Sequence, residues 1–428
     1  MNTLVARSLL VLVLVALPIG VAWGAADGEP RYRITNLDSL GGTPSEGNSI
    51  NNRGWVAGPS ELAGNAVRRA TLWRGGEPRD LGTLGGPHSN VLFGVKNVRG
   101  LVTGIAETAE TDPLNERWSC SRFFPSRTGL ICRGFVWRNG KMRVLPTLGG
   151  NHGFATGSNN RRQVVGWAEN TVRDPTCSAV DEQYLQFHAV IWGPGRRQIQ
   201  ELPPLPGDSA SAATAINDRG QVVGISGDCD RAFGRFSAIH NVLWEDGVPT
   251  NIGDLGGVAW NTPVAINQRG DIVGFSNTSP ADGGSFRAKA FLKLAGQPIQ
   301  NLGTISPDET LSQALGINES RQVVGISCTP LFASCRAFIW EDGVMRDLNG
   351  LVQSSYSDHL VTANDINDRG QITGRAVKAT GAEVPFVATP VDDDGDGGKR
   401  AAPAPKLSDP VRQKLMMRLG VREGDLGE

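Results

Sequence analysis

The residues able to do chemistry in this chain are few and oddly spaced. Only five histidines are present. His88 and His152 each stand two residues after a Gly-Gly pair, Gly85-Gly86 and Gly149-Gly150, and His359 follows Asp358 close to Tyr356. Asp208, Asp308 and Glu309 fall in matching stretches. An imidazole beside a carboxylate suits general acid–base transfer or metal ligation. If His88, His152, His359, Asp208 and Asp308 converged, they would be the catalytic candidates; the alternative is that they are polar loop residues facing water. His188 and His240 border an apolar strand-like run and read as structural. Nucleophile-elbow, zinc-protease and phosphate-loop motifs are missing from the chain.

Three other residue sets stand out. Arginine recurs at one position of a repeated turn, as Arg53, Arg99, Arg161, Arg219, Arg269 and Arg369, with Ser320 the exception. On a closed ring these six would form a circle able to meet an anionic partner, although exposed, locally paired arginines contribute little. Trp118 and Trp260 fall in variable segments and are candidates for stacking on a ligand. Six cysteines, Cys120, Cys132, Cys177, Cys229, Cys328 and Cys335, all fall in one class of loop. Proximity in the repeat frame pairs Cys120–Cys132, Cys328–Cys335 and Cys177–Cys229. Without a CxxC spacing, and with export expected, disulfides are favoured over a metal site, and no metal is expected.

The elements that position these residues follow from a phrase of the form Ile-Asn-Asp-Arg-Gly-Gln-Val-Val-Gly. It recurs at Ile50–Gly58, 95–104, Ser158–Gly166, Ile216–Gly224, Ile266–Gly274, Ile317–Gly325 and Ile366–Gly374. Self-similarity at a period of about 50 residues marks a propeller or solenoid. Each unit breaks into four short strands A to D: in the fourth, 211–217, 221–225, 241–244 and 249–255. Asn217-Asp218-Arg219-Gly220 is a turn signal between A and B, and Glu245-Asp246-Gly247 is a hairpin signal between C and D. Trp73, Trp137, Trp192, Trp244 and Trp340 sit in strand C and read as packing between blades. The chain enters on a lone strand D, Arg31–Asp38, and the last unit stops after a strand C, Val384–Thr389. If the two ends pair, a seven-bladed β-propeller of four-stranded antiparallel blades closes without a free edge.

The repeat units, together with Leu81-Gly82-Thr83-Leu84-Gly85-Gly86, Arg336-Ala337-Phe338-Ile339-Trp340 and Phe187-His188-Ala189-Val190-Ile191-Trp192, resemble the HAF-type repeats of bacterial extracellular proteins. The resemblance covers roughly residues 31–390. It departs in the fifth unit, where strand C is Ala290-Phe291-Leu292-Lys293 without tryptophan. It implies an exported repeat protein and carries no catalytic residue across.

Residues 1–26 read as a secretory signal: Arg7, an apolar run over Leu9–Leu17, then Ala22-Trp23-Gly24 or Gly24-Ala25-Ala26 for cleavage near 24–26. That run is far too short to span a bilayer. With 42 Lys+Arg against 43 Asp+Glu, net −1, the composition argues against a nucleic-acid binder. After the propeller, 391–407 reads as an acidic, proline-rich linker. Asp392, Asp394 and Asp396 begin a calcium-loop pattern, but Pro403 stands where the bidentate glutamate belongs, so no cofactor is expected. A short amphipathic helix is expected over 408–420, with Val411, Leu415, Met416 and Leu419 on its apolar side. The whole reads as a monomeric, secreted or periplasmic, non-catalytic binding module. Its ligand, a polysaccharide or protein surface, is expected on the face carrying the B–C and D–A loops. The alternative is a carbohydrate-active lyase or hydrolase using the loop histidines and carboxylates.

Overall fold

Seven antiparallel sheets succeed one another around a ring in the computed structural model, which describes residues 31–93, 97–195, 198–391, 404–418 and 421–427. The expected signal peptide, Val95, the acidic run with Asp392, Asp394 and Asp396, and Leu419 and Gly420 lie outside those residues. Blade 4 shows the pattern: strand A is Ala210–Ile216, B is Val222–Gly227, C is His240–Glu245 and D is Val248–Asn251. The expected strands all exist, with ends shifted by a residue or a few. In blade 1, strand A is split into Gly41–Ser45 and Ser49–Ile50, both paired to Val56–Leu62. Blade 7 runs His359–Ile366, Ile372–Val377 and Glu383–Pro390. Its fourth strand is the N-terminal Tyr32–Asn36, antiparallel to the last with Tyr32 opposite Pro390 and Asn36 opposite Phe386. The ring therefore closes between the two ends of the repeat array.

The repeated phrase builds this ring in two ways. Its asparagine folds its own A–B turn: Asn217 Oδ1 accepts the amides of Arg219 and Gln221 at 3.0 and 3.1 Å. The same side chain donates from Nδ2 to the carbonyl of Asn267 in the next blade. Asn267 donates to Asn318, Asn318 to Asn367, Asn367 to Asn51, and Asn51 to Asn97. Asn159 donates to Asn217. Asn97 departs from the pattern and reaches Ser158 Oγ instead. One amide thus satisfies a buried turn and staples two blades, which is why no other side chain serves at this position.

The closing glycine of the phrase has a steric cause. Strand A carries a bulge opposite it in blades 3 to 7, and the strand A carbonyl just before the bulge presses on strand B. A Cβ at Gly224 would lie 2.0 Å from the Ala212 carbonyl, and one at Gly325 would lie 1.9 Å from that of Gln313. Strand C tryptophans fill the wedges between blades: Trp73, Trp192 and Trp244 are buried and donate to backbone carbonyls of Asp38, Pro146 and Pro203.

All three expected disulfides are formed, and Cys177–Cys229 ties blade 3 to blade 4. The C-terminal helix, Asp409–Arg418, docks on the disc. Val411, Leu415, Met416, Val421 and Leu426 are buried, most of them against Trp260, Phe286 and Phe332 on the B–C/D–A face. No helix among the described residues is long and apolar enough to cross a membrane.

Candidate functional site

The histidines are distributed rather than convergent. His88 enters blade 2, where Nδ1 accepts the Arg68 amide of blade 1 at 3.2 Å and Nε2 meets Ser126 Oγ at 2.9 Å. Burial, with Arg68 and Arg69 nearby, pushes its imidazole down to about 4. His152 is fully buried at the equivalent place between blades 2 and 3, and its Nδ1 accepts the Cys132 amide at 3.0 Å. His359 sits between blades 6 and 7 and hydrogen-bonds the Cys335 carbonyl from Nε2 at 2.8 Å. These three serve different blade boundaries and share no polar partner. His188 pairs with Glu201, and His240 with Asp208 at 2.9 Å. Asp208 also accepts Ser226 Oγ. Glu309 is taken by Arg336 and Ser327, while Asp308 is exposed and accepts from Ser306.

One cluster resembles a metal site. His152 Nε2 lies 3.2 Å from Asp112 Oδ2 and 3.9 Å from Glu116 Oε2, with all three side chains buried. The chemistry of the donor set opposes a metal. Because Nδ1 accepts a backbone N–H it bears no proton, so the ring proton is on Nε2, the atom a cation would need bare. Asp112 accepts that proton and caps its own loop through the amides of Leu114 and Glu116. Glu116 Oε1 accepts from Tyr184 and Leu185, its Oε2 has no hydrogen-bond partner, and burial together with the nearby Glu169 pushes its carboxyl up to about 7. The ring proton is thus engaged by Asp112, and the Glu116 carboxyl holds its own proton well above the ordinary carboxylate range.

Sequence reasoning did not anticipate these glutamates, although a signal was present. Glu61, Glu107 and Glu169 each follow the motif glycine by three residues. Glu107 and Glu169 accept the backbone amides of His88 and His152. The carboxylates hold the histidine-bearing strands in place.

The expected ligand-stacking role of Trp118 and Trp260 does not hold. They are 2% and 0% exposed, and the cation between them is internal. The Arg231 guanidinium lies 4.9 Å from the Trp118 ring and 5.8 Å from that of Trp260. It forks onto Asp425 at 2.8 and 3.0 Å and donates from Nε to Asp181 at 3.0 Å. Asp425 belongs to the C-terminal segment, so the tail crosses the loop face and covers its centre. Ser334 of blade 6 holds Ala404 and Pro405, and Lys414 reaches Glu383 of blade 7. Leu92, Phe93, Phe233 and Phe275 line a small cavity of about 50 Å³. A ligand at the mouth on this side, as expected from the loops, would have to displace the chain's own tail.

The opposite face, built from the short turns, is open. All six repeat arginines are exposed there. Beside Arg161, between blades 2 and 3, lies a cleft of about 390 Å³ lined by Arg143, Val144, Pro146, Arg162, Trp192 and Gln198, among others. Gly193, Pro194 and Gly195, which follow strand C of blade 3, line one side of it. Its volume falls in the range of small-ligand sites.

No protein-family model matches the chain, and no curated relative does. Among solved structures it is similar to an acylaminoacyl peptidase of Pyrococcus horikoshii, at 12% identity and TM-score 0.46, over 90% of this chain and 53% of that one. It is also similar to a sialidase of Trypanosoma rangeli bound to 2,3-difluorosialic acid, at 10% identity and TM-score 0.37, over 84% and 59%. A third similarity is to dipeptidyl peptidase 4 of Porphyromonas gingivalis, at 11% and 0.31, over 84% and 46%. The chain thus spans about half the length of the structures it matches. Likenesses this weak carry no function across.

Proposed function

We propose that this propeller is a non-catalytic binding module that works outside the cytoplasm, as the HAF-type repeats imply. The observation that carries the reading is where the reactive groups are spent. His88, His152 and His359 are each consumed at a separate blade boundary, while the roomy cleft on the turn face is lined by neither histidine nor carboxylate among the described residues. General acid–base chemistry needs a titratable group within hydrogen-bond reach of the reacting atom, and the cleft offers none. Three disulfides suit an oxidising compartment. The ligand surface is placed on the turn face, because the tail occupies the middle of the loop face.

The test is retention without turnover. Immobilised protein should retard a class of oligosaccharide or polypeptide with no new reducing ends or amines appearing. Replacing His152→Asn, whose Oδ1 can accept the Cys132 amide, should leave that retention intact. Turnover that vanishes in this variant would overturn the reading and restore the enzyme alternative.

A further inference from the structure

The turn face is electrically lopsided. On its blade 2 and blade 3 sector, Arg99, Arg138, Lys141, Arg143, Arg161 and Arg162 are all exposed, and none makes an ion pair among the described residues. Elsewhere on the ring several turn-face cations are answered: Arg321 pairs with Asp271 at 2.9 Å, Arg346 with Glu341 at 3.5 Å and Arg269 with Glu319 at 4.0 Å, while Arg219 and Arg369 hydrogen-bond Gln221 and Gln371 and Arg53 lies over Trp55. The turns at 97–101, 138–146 and 159–164 contain no carboxylate. The bordering acid, Asp218, is taken by the Asn160 amide and side chain at 2.7 and 2.9 Å. Unscreened like charges on one sector cost self-repulsion unless an anion answers them.

The cleft lies in the middle of this sector, with Arg143 and Arg162 on its walls. Arg162 is itself an exception. It stands at the fourth turn position with φ +67°, where Gly54, Gly100, Gly220, Gly270 and Gly370 take the same left-handed backbone in five other blades. A guanidinium has been placed where the backbone favours glycine, and unlike Arg321 in the remaining turn, it has no carboxylate partner. Arg196 and Arg197 lie outside the described residues.

We propose that this cleft and its basic rim bind an acidic polysaccharide, with a uronate unit in the cleft and the chain continuing along the arginines. This rests on the binding-module reading. A guanidinium fork matches a carboxylate in geometry, while Val144, Pro146 and the Trp192 edge offer apolar walls to the C–H faces of a sugar ring. A nucleic acid would want exposed aromatic rings to stack its bases, and the large exposed hydrophobics among the described residues are valines and one leucine. A folded protein partner would want a broad surface of roughly 800 Å² rather than a narrow cleft.

The experiment measures binding of the protein lacking its expected signal segment to polygalacturonate, with dextran and polyglutamate as comparisons. Wild type should bind polygalacturonate at low salt and release it at about 1 M salt, where the screening length is roughly 3 Å. The pair Arg143→Gln with Arg162→Gly should weaken binding about tenfold or more, the loss expected for hydrogen bonds to charged groups. Arg162→Gly restores the residue of five other turns, so folding is kept and a melting curve checks it. Arg219→Gln with Arg269→Gln, on blades 4 and 5, should stay within about twofold, as exposed charges away from the cleft do. No binding by wild type, or equal losses in both pairs, overturns the proposal. So does polyglutamate binding as tightly with the same dependence, which would make the partner an acidic polypeptide. A neutral glycan held equally by wild type and the Arg143/Arg162 pair would sink this site and leave the module reading standing. Release of new reducing ends from polygalacturonate would do the reverse.

Discussion

At the scale of single residues, the buried titratable groups set opposite slopes of stability against pH. Glu116 has its carboxyl raised to about 7 in the fold, above the ordinary value of a free glutamate. Its contribution is therefore fully present below pH ~4.5 and is lost as pH rises through about 7, on the order of 3 kcal/mol. His88, lowered to about 4, behaves the other way: its share is present above pH ~6.5 and lost as pH falls towards 4. Glu116→Gln keeps the acceptor for Tyr184 and Leu185 without the titration. Denaturation midpoints should then match wild type near pH ~5 and exceed it near pH ~8. A variant no more stable than wild type at the higher pH would show that the fold does not raise the Glu116 carboxyl. None of this was visible in the sequence. Asp112, Glu116 and Tyr184 meet through two long loops, whose paths repeat periodicity does not constrain.

At the scale of the element, legibility was high wherever the repeat dictated local geometry. The turn asparagine, its glycine and the strand C tryptophan each answer one recurring physical demand, so recurrence in seven copies for the first and in five for the other two exposes them. The motif glycine is the sharpest case, because the strand A carbonyl just before the bulge leaves no room for a methyl group. Gly224→Ala should destabilise by about 2 kcal/mol or more, since a buried backbone must shift to admit it. Gly424→Ala, where a Cβ meets nothing within 4 Å, is the comparison and should cost well under 1 kcal/mol. Chemical denaturation of both reads the difference, and equal midpoints would mean that strand A can relax its bulge. The disulfide pairing was legible for the same reason, because the repeat frame alone sets the paired loop ends side by side. Trp118 and Trp260 were misjudged because exposure of a loop residue depends on what covers the loop, and the cover here is sequence-distant.

At the scale of the whole molecule, that cover is the C-terminal segment, which the repeat logic could only leave as an appended helix. It spans blades 3 to 7 through Asp181, Arg231, Phe286, Ser334 and Glu383. Asp425, in its last turn, is the bidentate partner of a fully buried arginine. Desolvating Arg231 is tolerable only because Asp425 and Asp181 together surround it. Removing one of the two should therefore cost more than an exposed pair would: about 3 kcal/mol for Asp425→Ala, read as a lower denaturation midpoint. Deleting residues 404–428 goes further, taking Leu415, Met416, Val421 and Leu426 off Trp260, Phe286 and Phe332. The deletion should expose an apolar patch that binds a hydrophobic dye, while the blades, stapled by their asparagines, keep their β-sheet circular dichroism. If Asp425→Ala leaves the midpoint unchanged and the deletion binds no dye, the tail is a passenger. The loop face would then be open to ligands after all. If both effects appear, the tail is the eighth structural part of the ring, and recognition is left to the turn face, where the unpaired arginines are.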